Sequence, residues 1–348
     1  MKFKTVAYKG SKRKLLNNIK YYAEQIDAKT FFDGFSGTGI VSANMRSCGY
    51  TVTANDLNHS SYLYGRVFLN GFNPSIVGQH IEIMNNLQPL SGWLTENYSG
   101  ERERVIRGTG GKKELRPKGY IVANAMKIDA AREYVESLLT VNEHDKDALI
   151  FSVVTGADRV FNNSNDQKSS LKRWSPSALK EVRFVTPTLI VGPIGKQLMG
   201  DITTVDLNAD IVYLDPPYTH GVLYASCYHL NDSIAKWNKP TLDESYAIPR
   251  PVEVCFRKNK KNAGGFYNKK SAPDSFDAII GSASCSRLLL SYSDAPRNVL
   301  TITQLVDICR QYGKVQVESF DHKICMQPNQ MNKISSDLKE FFIVLDKK

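Results

Sequence analysis

The stretch TFFDGFSGTG, residues 30–39, decides the class of fold that this chain adopts. It begins with three residues of high strand propensity, and three glycines follow within the next seven positions. Residues 40–48 then have the apolar spacing of a short helix. Glycines let the backbone approach a ligand closely, and a helix that begins beside them points its amide groups at that ligand. The order of strand, glycine turn and helix predicts an α/β fold with a nucleotide-type ligand site.

A second predicted strand supplies the acidic residue that such folds use. Residues 50–54 form this strand, which ends at Asn55 and Asp56. Asp56 follows the first strand by about twenty residues, the separation at which nucleotide-binding folds place an acid against ribose hydroxyl groups. On its own, the glycine turn fits a dinucleotide as well as S-adenosylmethionine. The spacing therefore predicts an adenosine-containing cofactor.

A third predicted strand, residues 211–214, ends abruptly at Asp-Pro-Pro-Tyr, residues 215–218. Two prolines end a strand because each fixes φ and lacks an amide hydrogen. The Asp215 carboxylate and the Pro216 carbonyl group are suitable acceptors for the two hydrogens of a planar amine, and the Tyr218 ring is suited to stacking on a base. Ligands of open α/β sheets bind beyond the carboxyl ends of the strands, where this corner lies. Taken alone, the tetrapeptide is explained equally well as an ordinary strand-ending turn.

In this order, the motifs resemble those of the adenine-specific DNA methyltransferases of the DNA adenine methylase type. The matching segments are YKGSK at 8–12, DGFSGTG at 33–39, ND at 55–56, GD at 200–201, DPPY at 215–218 and LLSYS at 289–293. Three further segments resemble a restriction-modification branch: ADRVFN at 157–162, LKRWS at 171–175, and the stretch from YHL at 228–230 through AKW at 235–237. The motif LLSYS at 289–293 is expected to end a core strand and to take no part in catalysis. The likeness spans most of the chain.

The resemblance implies a Rossmann-like, S-adenosylmethionine-dependent methyltransferase sheet with an inserted, mostly helical target-recognition domain. The expected catalytic domain comprises residues 1–70 and 186–348, and the expected target-recognition domain comprises residues 71–185. The expected catalytic residues are Asp215, Pro216 and Tyr218. The expected cofactor-binding residues are Tyr8, Lys12, Asp33, Phe35, Gly37, Gly39, Asp56 and Asp201.

The resemblance also implies which part of the cofactor each residue contacts. Tyr8 and Lys12 are expected at the methionine end, where the ammonium group of Lys12 is a suitable partner for a carboxylate. Asp56 is expected to hold the ribose and Asp201 the adenine amino group. Without the resemblance, Asp201 is better explained as a turn or a helix cap. The backbone amides expected at the methionine end are those around Phe35, Gly37 and Gly39.

The implied reaction transfers a methyl group from S-adenosylmethionine to the exocyclic amino group of adenine in a short DNA sequence. The adenine flips out of the duplex, and its amino nitrogen attacks the methyl group directly, without a covalent enzyme intermediate. Asp215 and Pro216 hold the amino hydrogens while Tyr218 stacks on the base. Methylation of the cytosine amino group needs the same acceptors and is one alternative. A non-catalytic DNA-binding regulator with the same fold is the other.

The charge of the chain favours a phosphate-rich partner. Lys and Arg number 45 against 35 Asp and Glu, a net charge of +10. Basic residues concentrate at 101–118 and 250–270, and we expect both segments to contact the phosphates of double-stranded DNA. Considered in isolation, a charged segment is more often only a solvated face.

Composition indicates a cytoplasmic protein with no membrane association. The six cysteines include no Cys-x-x-Cys pair and no zinc-type spacing with the six histidines, so we expect reduced thiols and no metal site. No apolar run approaches the roughly 20 residues needed to span a bilayer. The context that the resemblance implies is a restriction-modification system, in which a cognate restriction endonuclease acts on the same DNA sequence.

Overall fold

The structure is a computed structural model that describes residues 5–6, 10–105, 110–163, 166–168, 170–217, 224–255, 265–321 and 339–348. Over these ranges, no helix combines the length and the apolar character needed to cross a membrane. The strands are β1 (Thr30–Asp33), β2 (Thr51–Asp56), β3 (Glu101–Val105), β4 (Lys113–Pro117), β5 (Lys196–Met199), β6 (Ile211–Leu214), β7 (Leu242–Asp243), β8 (Arg250–Pro251), β9 (Arg287–Ser293), β10 (Gly313–Asp321) and β11 (Lys339–Lys347). The α-helices are α1 (Leu16–Ala23), α2 (Ile40–Ser47), α3 (His59–Asn70), α4 (Pro74–Asn86), α5 (Trp93–Tyr98), α6 (Val122–Ser137), α7 (Glu143–Val160), α8 (Tyr224–Cys227), α9 (His229–Lys236), α10 (Ala272–Ser282) and α11 (Ile302–Arg310).

The chain divides into two compact units. The first unit comprises residues 1–10, 70–189 and 225–258, and the second comprises residues 11–69, 190–224 and 259–348. Residues 225–258, which the sequence assigned to the catalytic domain, therefore group with the helical insertion. The assignment of the insertion to target recognition stays a prediction.

The second unit contains a sheet of seven strands in the order β10-β11-β9-β6-β1-β2-β5. β1 pairs in parallel with β2 and β6, β2 with β5, and β6 with β9. β11 is antiparallel to both of its neighbours, β9 and β10. The mostly parallel sheet confirms the predicted Rossmann-like α/β class.

The two faces of this sheet are covered differently. On one face, Val212 and Leu214 belong to an apolar core with Phe276 of α10 and Leu305 of α11. The other face carries aromatic pairs, with the Phe31 and Tyr213 rings stacked at 6.2 Å and Tyr22 of α1 at 6.2 Å from Phe342. All four residues of β6 are buried, as expected for a parallel strand covered on both faces. A central strand of this kind gives the residues that follow it a fixed position.

The first unit is mostly helical, but it also contains a β-hairpin that the sequence did not predict. Helices α4, α5, α6 and α7 lie in the insertion that the sequence analysis expects to be mostly helical, and β3 pairs with β4 in antiparallel register. Asp129 of α6 accepts hydrogen bonds from the backbone amides of Leu94 and Thr95, at 2.9 and 2.8 Å, and so orders the start of α5.

Candidate active site

The carboxyl ends of β1 and β6 meet in the middle of the sheet. From β1 the strand order runs through β2 to β5, and from the adjacent β6 it runs through β9 in the opposite direction. Such a switch point leaves a crevice in which open α/β folds bind ligands. Asp33 is the last residue of β1, Asp215 follows β6, and the Gly34 amide donates to the Tyr213 carbonyl oxygen at 2.9 Å. The glycine turn and the Asp-Pro-Pro-Tyr corner therefore lie at the same edge of the sheet.

The Asp215 carboxylate is held by a buried lysine. The Lys12 ammonium nitrogen lies 2.8 Å from Asp215 Oδ1 and 3.2 Å from Glu340 Oε1. The side chains of Lys12 and Glu340 are 5% and 2% exposed, whereas that of Asp215 is 18% exposed. Asp215 thus combines a buried ion pair with an edge that faces solvent, which is the arrangement expected of a group that meets a substrate.

Burial raises the pKa of Asp215 to about 6, although the positive charge of Lys12 opposes this shift. The negative charge of Glu340 adds to the increase. At neutral pH the carboxylate is still mostly ionised, and in a partly dehydrated site it is a stronger hydrogen-bond acceptor than in water. The site therefore offers a charged acceptor at the position where the sequence predicts a base amine.

The glycine turn has a backbone that other residues adopt only with strain. Gly37 and Gly39 have φ of 51° and 71°, in the left-handed region. A Cβ atom on Gly39 would also lie 2.9 Å from Cδ2 of Phe68. The Gly37 amide donates to Asp56 Oδ2 at 2.8 Å, and the Ser36 amide to the Asn55 carbonyl oxygen at 3.0 Å. The turn is therefore fixed against the carboxyl end of β2.

Asp33 is a buried carboxylate with one oxygen satisfied and one without a partner. The Ser42 hydroxyl of α2 donates to Oδ2 at 2.6 Å, whereas Oδ1 has no hydrogen bond among the described residues. Burial raises the pKa of Asp33 to about 7, and the negative charges of Asp215 and Asp56 act in the same direction. A buried, unsatisfied carboxylate oxygen is costly for the folded protein and is suited to a cationic ligand group.

The other two predicted acids lie at the ends of neighbouring strands. Asp56 accepts hydrogen bonds from Gly37 and, at 2.9 Å, from the Asn58 amide. Asp201 is exposed and accepts from the Thr203 amide at 3.0 Å, so it caps the short 3₁₀ helix Ile202–Thr204. Its expected contact with an adenine amino group stays a prediction.

The family of the chain follows from a comparison with known proteins. A family model described as D12 class N6 adenine-specific DNA methyltransferase matches residues 8–249, which is more than half of the chain. This chain belongs to that family. It is therefore an adenine-specific DNA methyltransferase, and methyltransferases of this kind generally take the methyl group from S-adenosylmethionine.

Individual relatives of this D12 methyltransferase come from bacteria and from a virus. The chain is 27% identical to the Type II methyltransferase M.NlaIII of Neisseria lactamica over 98% of its own length and 99% of the relative. It is 26% identical to the Type II methyltransferase M.CviAII of Paramecium bursaria Chlorella virus 1 over 98% of its length and 99% of the relative. It is also 26% identical to the modification methylase LlaI of Lactococcus lactis subsp. lactis over 91% of its length and 51% of the relative.

The structure brings most of the predicted site residues of this D12 methyltransferase to one edge of the sheet. Lys12 contacts Asp215 directly, and Pro216 is buried beside it. Phe35 packs edge-to-face on Phe266, with ring centroids 5.7 Å apart. Tyr8 and Tyr218 lie outside the residues that the structure describes. The roles that the sequence predicts for all of these residues stay predictions.

Sequence reasoning missed Glu340, Ser42 and Asn55. Glu340 was the easiest of the three to find from the sequence, because it shares the period-two face of the apolar residues Phe342 and Val344 in β11. Asn55 donates to the Gly200 carbonyl oxygen at 3.1 Å and so ties β2 to the start of the segment that carries Asp201. No local pattern marks Ser42 as the partner of Asp33.

The residues at this edge fit S-adenosylmethionine. The Asp33 oxygen that has no hydrogen bond among the described residues is suited to the ammonium group of the methionine part, and the left-handed turn beside it carries no side chain at Gly37 or Gly39. The Asp56 carboxylate ends β2 at the position where nucleotide-binding folds hold a ribose. Lys12 contacts two protein carboxylates. Its expected contact with the cofactor carboxylate stays a prediction.

Proposed function

We propose that this methyltransferase is the modification enzyme of a restriction-modification system and that Asp215 and the Pro216 carbonyl group accept the two amino hydrogens of a flipped adenine. The observation that carries the proposal is the part-exposed Asp215 carboxylate, paired with buried Lys12, at the switch point of the sheet. Tyr218 completes the proposed site by stacking on the base.

The proposed role of Asp215 follows from the electronic structure of the adenine amine. Its lone pair is delocalised into the ring, which makes the nitrogen a poor nucleophile. Two acceptors in the plane of the hydrogens favour the tetrahedral geometry in which the lone pair becomes available, and they cost no reorganisation because the protein has already placed them. Bound S-adenosylmethionine supplies a methyl group activated by a positively charged sulfur.

The proposed cofactor site consists of the glycine turn and the acids around it. In this proposal, Asp33 pairs with the ammonium group of the cofactor and Asp56 with its ribose. The backbone around Phe35 lines the methionine end. Tyr8, Lys12 and Asp201 are further proposed contacts on the strength of the family pattern. The unsatisfied Asp33 oxygen and the left-handed glycines of the turn support this assignment.

The hairpin of the first unit supports the proposed contact with DNA phosphates. Arg102, Arg104 and Arg116 lie on one face of the β3–β4 pair, because Arg102 is opposite Arg116 and Arg104 is two residues along. The Nε and Nη2 atoms of Arg104 are buried and have no hydrogen-bond partner among the described residues. Burial and the two neighbouring arginines lower the pKa of Arg104 to about 10. A phosphate would satisfy these donors and relieve the repulsion.

The second basic segment gives less support. Arg250 is 9% exposed, its guanidinium carbon lies 4.1 Å from the centre of the Tyr246 ring, and its Nη2 donates to the Lys168 carbonyl oxygen at 3.3 Å. These contacts indicate a structural role for Arg250. Most of the remaining basic residues of this segment lie at 256–264, outside the described residues.

The restriction-modification context comes from the relatives, two of which are named Type II methyltransferases and one a modification methylase. In that context we propose a cognate endonuclease that cuts the same unmethylated sequence, a location in the cytoplasm, and a target-recognition role for the helical insertion at 71–185.

The test incubates the purified protein with unmethylated bacterial genomic DNA and S-adenosylmethionine, then maps modified bases by single-molecule sequencing and nucleoside mass spectrometry. We expect N6-methyladenine confined to one short sequence, which a cognate endonuclease then no longer cuts. Detection of N4-methylcytosine instead would contradict the assignment of adenine as the target base. Binding of DNA and cofactor without any modified base would support the regulator instead.

The cofactor site is tested separately by a pair of glycine substitutions. Gly39→Ala places a methyl group 2.9 Å from Phe68 at a φ of 71°, so we expect the dissociation constant for S-adenosylmethionine to rise roughly tenfold. The matched control is Gly49→Ala, which has a φ of 97° at the other end of α2 but no atom within 4 Å of the new methyl group. Isothermal titration calorimetry measures both. Equal affinities of the two variants for S-adenosylmethionine would contradict the assignment of the glycine turn to the cofactor site.

A further inference from the structure

Glu340 is a buried carboxylate in a strand that is otherwise apolar over its central part. It is 1% exposed, and the strand continues as Phe-Phe-Ile-Val-Leu. A carboxylate in such a place costs several kcal/mol unless it is paired and hydrogen-bonded. Two groups provide this pairing: the Ser291 hydroxyl donates to Oε1 at 2.7 Å, and the Lys12 ammonium nitrogen lies 3.2 Å away.

These contacts connect Glu340 to the proposed catalytic corner. Ser291 lies on β9, the strand between β6 and β11, and it faces the same side of the sheet as Glu340, two positions diagonally across the pair. Lys12, which contacts Glu340, is also 2.8 Å from Asp215. The connected groups therefore join three adjacent strands to the short helix that carries Lys12.

We propose that Glu340, oriented by the Ser291 hydroxyl, is a positioning residue for adenine methylation: it holds the Lys12 ammonium group and so sets both the place and the charge of the Asp215 carboxylate. This inference rests on the role proposed above for Asp215. Glu340 acts only through Lys12 and touches neither the base nor the methyl donor.

The geometric effect of Glu340 is to restrict the conformations of the Lys12 side chain. An ammonium group on a four-carbon stem rotates readily when it has one partner. A second carboxylate, itself fixed by a hydroxyl group, leaves Lys12 one position in which both contacts are made. Asp215 is then held by a partner that does not move when the substrate arrives, which is the preorganisation that an acceptor in a transition state requires.

The electrostatic effect of Glu340 arises because Glu340 and Asp215 share the positive charge of Lys12. Within the described ranges, the groups that interact electrostatically with Asp215 are Lys12 from the 3₁₀ helix Lys12–Leu15, Glu340 from β11, Asp33 from β1 and Tyr213 from β6. Because Lys12 serves two carboxylates, Asp215 is less completely neutralised than in a simple pair. Glu340 therefore raises the pKa of Asp215, and a carboxylate of higher pKa is a stronger acceptor for the amine hydrogens.

The experiment compares wild type and Glu340→Gln by the single-turnover rate of methyl transfer as a function of pH. The rate rises with pH as Asp215 ionises, and removal of the Glu340 charge lowers the pKa of Asp215. We therefore expect the methylation rate of the variant to increase at lower pH than that of wild type. We also expect its maximal rate to be roughly tenfold lower, because Lys12 is less well fixed. Ser291→Ala is expected to move the rise in the same direction by a smaller amount.

The matched control is Asp346→Asn, which removes a carboxylate from the opposite end of the same strand. Asp346 accepts from Arg287 Nε at 2.7 Å and does not contact Lys12 in the described structure. A merely structural role for Glu340 would give both variants the wild-type pH dependence. That result, in proteins whose unfolding transitions remain cooperative, overturns the inference.

A direct measurement follows the ionisation of Asp215 by NMR on protein labelled with carbon-13 at the aspartate carboxyl groups, and Asp215→Asn identifies the resonance. We expect a lower titration midpoint in Glu340→Gln, and Ser291→Ala provides the test if Glu340→Gln does not fold. Methyl transfer that survives in Asp215→Asn overturns the proposed function. An inactive Asp215→Asn with an unmoved midpoint in Glu340→Gln and Ser291→Ala overturns the positioning role alone.

Discussion

Two buried cations, Lys12 in the second unit and Arg132 in the first, have opposite kinds of partner. Arg132 is fully buried, and its Nε donates to the Ile234 carbonyl oxygen at 2.8 Å. The carboxylate that its Nη2 atom contacts, Glu136 at 2.8 Å, is 44% exposed. Lys12 contacts two carboxylates that are mostly or wholly buried.

The difference separates a structural cation from one that, in the proposed mechanism, acts on a catalytic carboxylate. A backbone carbonyl group keeps the same charge at every pH, and an exposed carboxylate remains in contact with water, so Arg132 serves to join α6 to the last turn of α9. The carboxylates around Lys12 have lost most of their water, and the negative charge of Glu340 raises the pKa of Asp215. Burial of a positive charge therefore indicates function only when its partners are themselves buried and titratable.

The strongest test of this comparison removes the carboxylate partner of each cation. Asp215→Asn replaces a charged acceptor by an amide that presents hydrogens at one of its two positions, so we expect the single-turnover rate of adenine methylation to fall about 10³-fold. Glu136→Gln is expected to methylate at the wild-type rate. Incorporation of labelled methyl groups into DNA measures both. A fall of less than tenfold in Asp215→Asn would contradict the distinction.

The next largest effect is expected on stability when Arg132 is replaced. Arg132→Met leaves the Ile234 carbonyl oxygen without its donor and removes a guanidinium group that lies 5.3 Å from the Trp237 ring. We expect the free energy of unfolding of the first unit to fall by about 3 kcal/mol. Urea unfolding followed by tryptophan fluorescence measures the change. A loss below about 1 kcal/mol would show that Arg132 is not a structural tie of the kind described.

The smallest effect, but the most diagnostic, is expected when Lys12 is replaced. Lys12 lowers the pKa of Asp215, so Lys12→Met raises that pKa. Because the proposed mechanism requires an ionised Asp215, we expect the methylation rate to rise only at higher pH, the opposite direction from Glu340→Gln. At pH 7.5 we expect a loss of roughly tenfold that partly recovers at pH 9. Single-turnover methylation rates measured over a series of pH values test this. A rate that increases over the same pH range as in wild type would show that Lys12 does not set the pKa of Asp215.

Local sequence patterns predicted much of the catalytic part because its signals are local. The glycines of residues 34–39 and the prolines after Asp215 restrict the backbone wherever they occur, and the apolar run at 211–214 can only be a covered strand or a short core helix. The motifs also follow one another in the order of a known family. For these reasons the Rossmann-like sheet and the adenine methyltransferase activity were predicted correctly from one chain.

Other features had no local signal. LLSYS was expected to form a strand without chemistry, and it forms β9, yet Ser291 within it orients Glu340. The hairpin of β3 and β4 was read only as a basic loop, because alternating Arg and Glu residues resemble a solvated segment as much as a strand. Residues 225–258 group with the insertion through contacts that no composition change marks.

By itself, the sequence determined the class of fold and, through its ordered family motifs, the reaction and the acid that we propose for it, since each of these motifs is formed by residues close together in the chain. The tertiary structure alone decided which charges surround that acid. The strand order places β11 beside β9 and brings Glu340, from the end of the chain, to Lys12, from its beginning. Burial, pairing and pKa depend on such meetings of distant segments, because they are set by what lies within a few ångströms in space.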